Sequence, residues 1–168
     1  QYLHALNMQM ASKFSGSTTT AGEGSLSAVL GNKSVESVIS NGHLCVGSIA
    51  DEAKNKLYWF VKQNPLVAGN NFDKIIEYDQ NTNSSTIVFQ DTDFDVLKFP
   101  NTLITGINII DDFLFWTDGS GEPKKISISR SIEGSAGGGQ TQLIVNGVSL
   151  GKCEEENITV IKKKPTKA

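Results

Sequence analysis

The feature that most constrains this chain is a pattern repeated around its two tryptophans. Gly47-Ser-Ile-Ala-Asp-Glu-Ala-Lys-Asn-Lys-Leu-Tyr-Trp59 and Gly106-Ile-Asn-Ile-Ile-Asp-Asp-Phe-Leu-Phe-Trp116 both run from a strand through an acidic turn into Leu-aromatic-Trp. By their numbering the tryptophans fall 57 residues apart, and each is followed by a loop and an Ile-rich strand. That spacing is a little longer than common propeller or kelch periods. One small antiparallel sheet is unable to bury both faces, so units of this kind stack face to face around an axis. The expectation is an all-β fold of antiparallel four-stranded units, propeller-like, forming part of a β-propeller. Trp59 and Trp116 are expected at equivalent places, filling the space between sheets. A β-sandwich with chance similarity between hairpins is the alternative.

The local patterns agree with β-structure. Tyr2 to Met10 alternates and reads as a strand or pairing arm, and Ser12 to Gly24 reads as a flexible loop. Ser25 to Val38 reads as two short strands about a turn at Gly31-Asn32, with a stronger turn signal at Asn41-Gly42. Strands are then expected at 44–49, 57–61, 74–78, 86–89, 103–110, 113–117, 125–129, 142–145 and 157–161. The run from Gly134 to Gly139 reads as a mobile surface loop, and no segment shows helical periodicity. The domain reading is an N-terminal arm with short strands at 1–43, a first β-unit at 44–102, a second at 103–161, and the start of a linker at 162–168. Both ends read as cut from a longer protein.

Composition narrows the class. Of 168 residues, 38% are hydrophobic and 20% charged, which is globular. The formal charge of −3 gives no general basic field for nucleic acid. No apolar run is long enough to span a membrane, and no signal peptide is visible. The two cysteines, Cys45 and Cys153, read as separate buried thiols, with pairing left open.

The residues that could carry chemistry all have plainer readings. His4 and His43 lack metal-ligand spacing. Asp91-Thr-Asp-Phe-Asp95 resembles the start of a calcium loop, but Val96 stands where Gly is needed and Thr102 where a bidentate Glu is needed. Asp91, Asp93 and Asp95 therefore read as a solvated acidic turn, and so do Asp111, Asp112 and Asp118. Asn32, Asn83 and Asn157 open Asn-x-Ser/Thr triplets of a frequency expected by chance. Lys162 to Lys164, after Glu154 to Glu156, read as a solvated strand end entering a linker. The expectation is no catalytic residue, no cofactor and no metal, hence a protein that is not an enzyme.

Several short motifs in fixed order carry a resemblance. They are Ala5-Leu-Asn7, Leu30-Gly-Asn32, Cys45-Val-Gly-Ser-Ile-Ala-Asp51, Leu57-Tyr-Trp-Phe60, Ile75-Ile-Glu-Tyr78, Leu103-Ile-Thr-Gly-Ile107 and Leu114-Phe-Trp-Thr-Asp118. Together they resemble the N-terminal, propeller-like region of large virion structural proteins of tailed bacteriophages, of the tail stabilisation, hub or nozzle type, including those of crAss-like phages. Thr159-Val-Ile-Lys-Lys-Lys-Pro165 is similar to the exit from that region. The resemblance implies a structural role in a tail hub, nozzle or portal-proximal assembly of the virion, assembled in the host cytoplasm. It implies partners that are other virion proteins and copies of the chain in a ring, with no specific nucleic-acid site and no membrane. The chain is much shorter than such proteins. A receptor- or glycan-binding β-propeller domain is the alternative function, with a glycan as its partner.

Overall fold

The structure, a computed structural model, describes residues 8–12, 24–28, 43–64, 72–119 and 121–161. The chain divides into two compact units, Gln1–Val35 and Glu36–Ala168. In the first, β1 (Met8–Ser12) pairs antiparallel with β2 (Gly24–Ala28), Met8 opposite Ala28 and Ser12 opposite Gly24. The arm expected to pair with a neighbour's sheet thus has one edge taken by its own hairpin partner. His4, the Asn32 triplet, the turns at Gly31-Asn32 and Asn41-Gly42, the strand expected beyond Ala28, the Ser12–Gly24 loop between its ends, and Lys162 to Lys164 lie outside the described residues.

The second unit opens with a four-stranded meander of β3 (His43–Asp51), β4 (Lys56–Gln63), β5 (Asp73–Asp79) and β6 (Ser84–Asp91), paired in chain order. Its strands come from β-branched and aromatic runs. Asn55 and Asn83 turn the chain at φ 54° and 52°, a conformation Asn tolerates better than most residues. A crossover of residues 92–105 leads to a second meander, β7 (Gly106–Ile110), β8 (Phe113–Thr117) and β9 (Lys124–Ser127). Then come α1 (Ile128–Ser135), the hairpin of β10 (Gln142–Val145) and β11 (Val148–Lys152), and the single turn α2 (Glu155–Ile158).

The β-rich, antiparallel class matches expectation, and several local readings need correction: the strand expected at 103–110 begins only at Gly106, and Gly134, expected in a mobile loop, is buried in a helix. The strand expected at 125–129 ends at Ser127, where a helix begins. Ser127 Oγ caps it by accepting from the Arg130 N–H, and the Asp112 carboxylate accepts from the Ser129 N–H at 3.1 Å. The chain therefore does contain a helix, built on Ile128, Ser131, Gly134 and Ser135 as its buried face. The strand expected at 157–161 is half helix, and only Thr159 pairs, in one isolated bridge to Lys124. The second sheet consequently has three strands where four were expected, the place beside β9 being held by that bridge.

The core lies between the two sheets. Phe60, Phe89, Phe99, Leu114 and Trp116 are buried there, each worth roughly 1.5–3 kcal/mol or more by transfer. Phe60 meets Trp116 edge-on at 5.4 Å between ring centroids. Close approach is possible because position 47 is Gly: a Cβ there would sit 2.8 Å from Ile107 Cδ1 and 3.0 Å from the Ile104 carbonyl.

Candidate interaction surface

The polar side chains that drew attention in the sequence are placed separately. His43 Nε2 lies 3.1 Å from the Phe72 carbonyl oxygen. Asp91 is buried and accepts from the N–H groups of Val96 and Leu97, so it is no part of a solvated turn. Asp93 and Asp95 are exposed, 3.1 and 3.9 Å from the Lys152 ammonium. Asp111 offers its carbonyl to Lys54 Nζ at 2.6 Å, Asp112 caps α1, and Asp118 lies 3.8 Å from the buried Lys124. Asn83 accepts from the Tyr78 hydroxyl, and Asn157 from the Glu154 N–H. Among the described residues no three His, Cys, Asp or Glu side chains group in a way that could hold a metal ion. No disulfide joins Cys45 and Cys153; Cys153 is buried as read, whereas Cys45 is exposed.

Sequence reasoning missed Glu77. It is buried on β5, where Tyr58 donates to Oε2 and Lys56 to Oε1, both at 2.7 Å. Burial first, then the Glu77 carboxylate, pushes the Tyr58 hydroxyl far above the usual tyrosine range. The signal was its place in an Ile-rich strand, on the face period two assigns to the core.

What remains open is sheet surface. In β8 the chain alternates, Leu114 and Trp116 inward, Phe113 and Phe115 outward. Phe113 pairs with Ile110, and both are exposed; Phe113 and Phe115 lie 6.3 Å apart, and Lys125 Nζ sits 5.7 Å over the Phe113 ring. These residues form one apolar face tipped with a cation. The exposed hairpin residues Val145, Val148 and Leu150 add a second apolar patch.

Comparison of the two sheets gives this face a meaning. Gly47 pairs with Phe60, the residue after Trp59, and Gly106 pairs with Thr117, the residue after Trp116. Trp59 and Trp116 therefore hold corresponding places on corresponding strands, the second of each meander. The core nevertheless takes Tyr58 and Phe60 from β4 but Leu114 and Trp116 from β8. Trp59 points to the other side of its sheet, half-buried and stacked on Tyr78 at 6.0 Å, so only one tryptophan fills the space between the sheets. The sheets stack front to back, with opposite faces in contact.

No protein-family model, curated protein or solved structure matches this chain. Among the described residues no helix is long and apolar enough to cross a membrane.

Proposed function

We propose that this chain is a structural component of a bacteriophage virion, in a tail hub, nozzle or portal-proximal assembly, and that it works through protein–protein contacts rather than catalysis. The observation that carries the contact role is the front-to-back stacking of the two sheets. A sandwich related by a two-fold axis would bury the same face of both sheets. Front-to-back stacking is the heterologous kind, which repeats by rotation until a ring closes. The crossover runs from the last strand of one sheet to the first strand of the next, and β3 and β7 lie side by side, with the Ile104 N–H donating to the Val46 carbonyl at 2.7 Å. These features support a propeller-like arrangement in which β3 and β7 are inner strands.

Two sheets do not close such a ring. The face of Ile110, Phe113 and Phe115 corresponds, by register, to the face of β4 that carries Tyr58 and Phe60 into the core. It awaits a further sheet, and an exposed apolar face of this kind marks an interaction site. The ordered motifs from Ala5 to Asp118 that resemble phage virion proteins supply the setting. Sedimentation velocity and electron microscopy of the full chain over a range of concentrations test the contact role. Ring-like oligomers that dissociate on Phe113→Lys are expected, and a concentration-independent monomer that binds glycans would overturn it. Peptide mapping of purified tailed particles from the source tests the setting: the chain's peptides should copurify with the particles, and their absence rejects a virion role.

A further inference from the structure

Asp73 opens β5 and Asp91 ends β6, and the strand pairing sets them directly opposite each other. They are 4% and 0% exposed. Opposite residues of an antiparallel pair share a face, with Cβ atoms about 4.5–5.5 Å apart. Two carboxylates therefore stand side by side out of water. What they hold is the crossover. Asp91 Oδ2 accepts from the N–H groups of Val96 at 2.9 Å and Leu97 at 2.8 Å. Asp73 Oδ1 accepts from the Gln63 N–H at 2.9 Å, and Asp73 Oδ2 from the Phe99 N–H at 3.3 Å. The side chains of Val96, Leu97 and Phe99 are buried in the core. Of the four carboxylate oxygens one is left over: Asp91 Oδ1 is buried and has no hydrogen-bond partner among the described residues.

The charges facing this pair come from three sides. From β4, Lys62 donates to the Phe99 carbonyl and attracts Asp73. From the crossover, Lys98 feels Asp91 and Asp95 but is bound to Glu155 at 2.6 Å, on α2. From β9, Lys124 donates to the Leu97 carbonyl at 2.7 Å and lies 3.8 Å from Asp118 and 3.6 Å from Glu155. Lys98 and Lys124 thus have anionic partners, and among the described residues Lys62 is left to offset two carboxylates. A buried group left with excess charge sheds it by taking up a proton. A divalent cation fits poorly, since it seeks about six or more oxygens and three of these four already accept N–H groups.

We infer that Asp73 holds a proton and donates it to Asp91 Oδ1, so that the pair is a proton-operated latch on the crossover between the two sheets. With the proton present, every carboxylate oxygen has a partner. Asp73 Oδ2 carries it, being the oxygen with the longest N–H contact. Without it two anions face each other out of water, and their repulsion works against the N–H bonds that hold the crossover. Burial, the largest influence, pushes the Asp73 pKa above the ordinary aspartate value; the N–H groups of Gln63 and Phe99 and the Lys62 ammonium oppose it, and Asp91 adds to it. A folded-state pKa that is raised contributes stability fully present below the unfolded value and lost as pH rises through the folded value. The latch is therefore tight in acid and loosens toward neutral pH.

Carbon-13 NMR of the aspartate side-chain carboxyls in the full chain, combined with amide hydrogen exchange, tests this. Asp73 should titrate above the ordinary aspartate range, with the Asp91 carboxyl signal shifting in step. Exchange at Val96, Leu97 and Phe99, corrected for intrinsic rate, should speed up roughly tenfold as the proton is lost, while Ile75 and Trp116 hold steady. Asp91→Asn should bring the Asp73 titration down toward the ordinary range. Titration of Asp73 within or below that range, or crossover exchange indifferent to pH, would overturn the latch. Both readouts come from the unaltered chain, so a variant that fails to fold leaves the test intact.

Discussion

The β3–β6 sheet sends Tyr58 and Phe60 into the core and keeps Trp59 on its far side, whereas the β7–β9 sheet sends in Leu114 and Trp116 and keeps Phe113 and Phe115 out. The two strands carry the same Leu-aromatic-Trp pattern in the same register against their neighbours. Their outer edges differ as well. The edge of β6 is closed: Ser135 Oγ donates to the Val88 carbonyl, and Thr141 exchanges bonds with Gln90 through both backbone and hydroxyl. The edge of β9 carries one bridge to Thr159 and then turns into a helix. Whether a tryptophan is buried is thus decided by which face meets another sheet, a property of stacking that no local motif contains. Natural sheets cover or interrupt their edges, and here each sheet does so by a different device.

The comparison is broken most directly at the tryptophans. Trp116→Ala should cost about 3–5 kcal/mol, the usual loss for emptying a large buried aromatic site. Trp59→Ala should cost only about 1–2 kcal/mol, from a half-buried surface and one stacked pair. Urea unfolding of both variants measures the difference. Equal losses would mean that the far face of the first sheet is as tightly packed as the core, and the contrast drawn between the two faces would fail.

Much of this was legible in the sequence because it depends on period two and turn chemistry. The strands at 44–49, 57–61, 74–78, 86–89 and 113–117 all lie within observed strands, and Asn55, Asn83 and Asp111 turn the chain between β3 and β4, β5 and β6, and β7 and β8. What was not legible depends on distant partners. Lys125-Ile-Ser-Ile-Ser129 alternates like a strand, yet its second half is helical because Asp112, far back in the chain, caps it. Glu77 and Asp91 look like surface acids until cross-strand pairing buries them. Front-to-back stacking was equally invisible, since the shared motif predicts equal burial for both tryptophans.

The polar contents of the two sheets give a smaller contrast. On the core-facing side of the first sheet the Tyr58 hydroxyl is bound to the ionic Glu77–Lys56 pair, while beside Leu114 and Trp116 in the second the buried Lys124 lies 3.8 Å from Asp118. Tyr58→Phe should cost about 1.5–3 kcal/mol, the range for a hydrogen bond to a charged group. Chemical denaturation reads this directly, and a loss under a few tenths would show that Glu77 is satisfied without Tyr58.

Glycine marks three close approaches, at Gly47, Gly106 and Gly134, and Gly47 and Gly134 differ in what stands opposite. At Gly134 an added Cβ would lie 2.2 Å from the Gln142 carbonyl oxygen, which belongs to a strand backbone and yields only if α1 shifts. At Gly47 the nearest atom is the side-chain tip of Ile107 at 2.8 Å, with the Ile104 carbonyl oxygen next at 3.0 Å. Gly134→Ala should therefore cost about 1–2 kcal/mol, overpacking outweighing alanine's helix propensity. Gly47→Ala should cost less. A reversed order, seen in denaturation midpoints, would place the tighter contact between the sheets rather than under the helix.

The smallest effect concerns what replaces the fourth strand of the second sheet. Asp112 receives the hydroxyls of Ser127 and Ser129 at 2.6 and 2.7 Å and the Ser129 N–H, all at the start of α1. Burial pulls its pKa upward, but these hydrogen bonds outweigh burial and hold the carboxyl below the ordinary value of 3.8. A depressed folded-state pKa gives stability that is present above the unfolded value and lost as pH falls through the folded one. Asp112→Ala should cost about 0.5–2 kcal/mol near neutral pH, the usual range for a helix cap. The gap between this variant and the unaltered chain should narrow as the pH is taken below the ordinary aspartate value. The sign is opposite to that of Asp73, which loosens as pH rises, so urea unfolding across the acid range separates the two groups. A gap that stays constant into strong acid would mean that Asp112 holds α1 by shape and not by charge, leaving Ser127 as the cap that turns the strand into a helix.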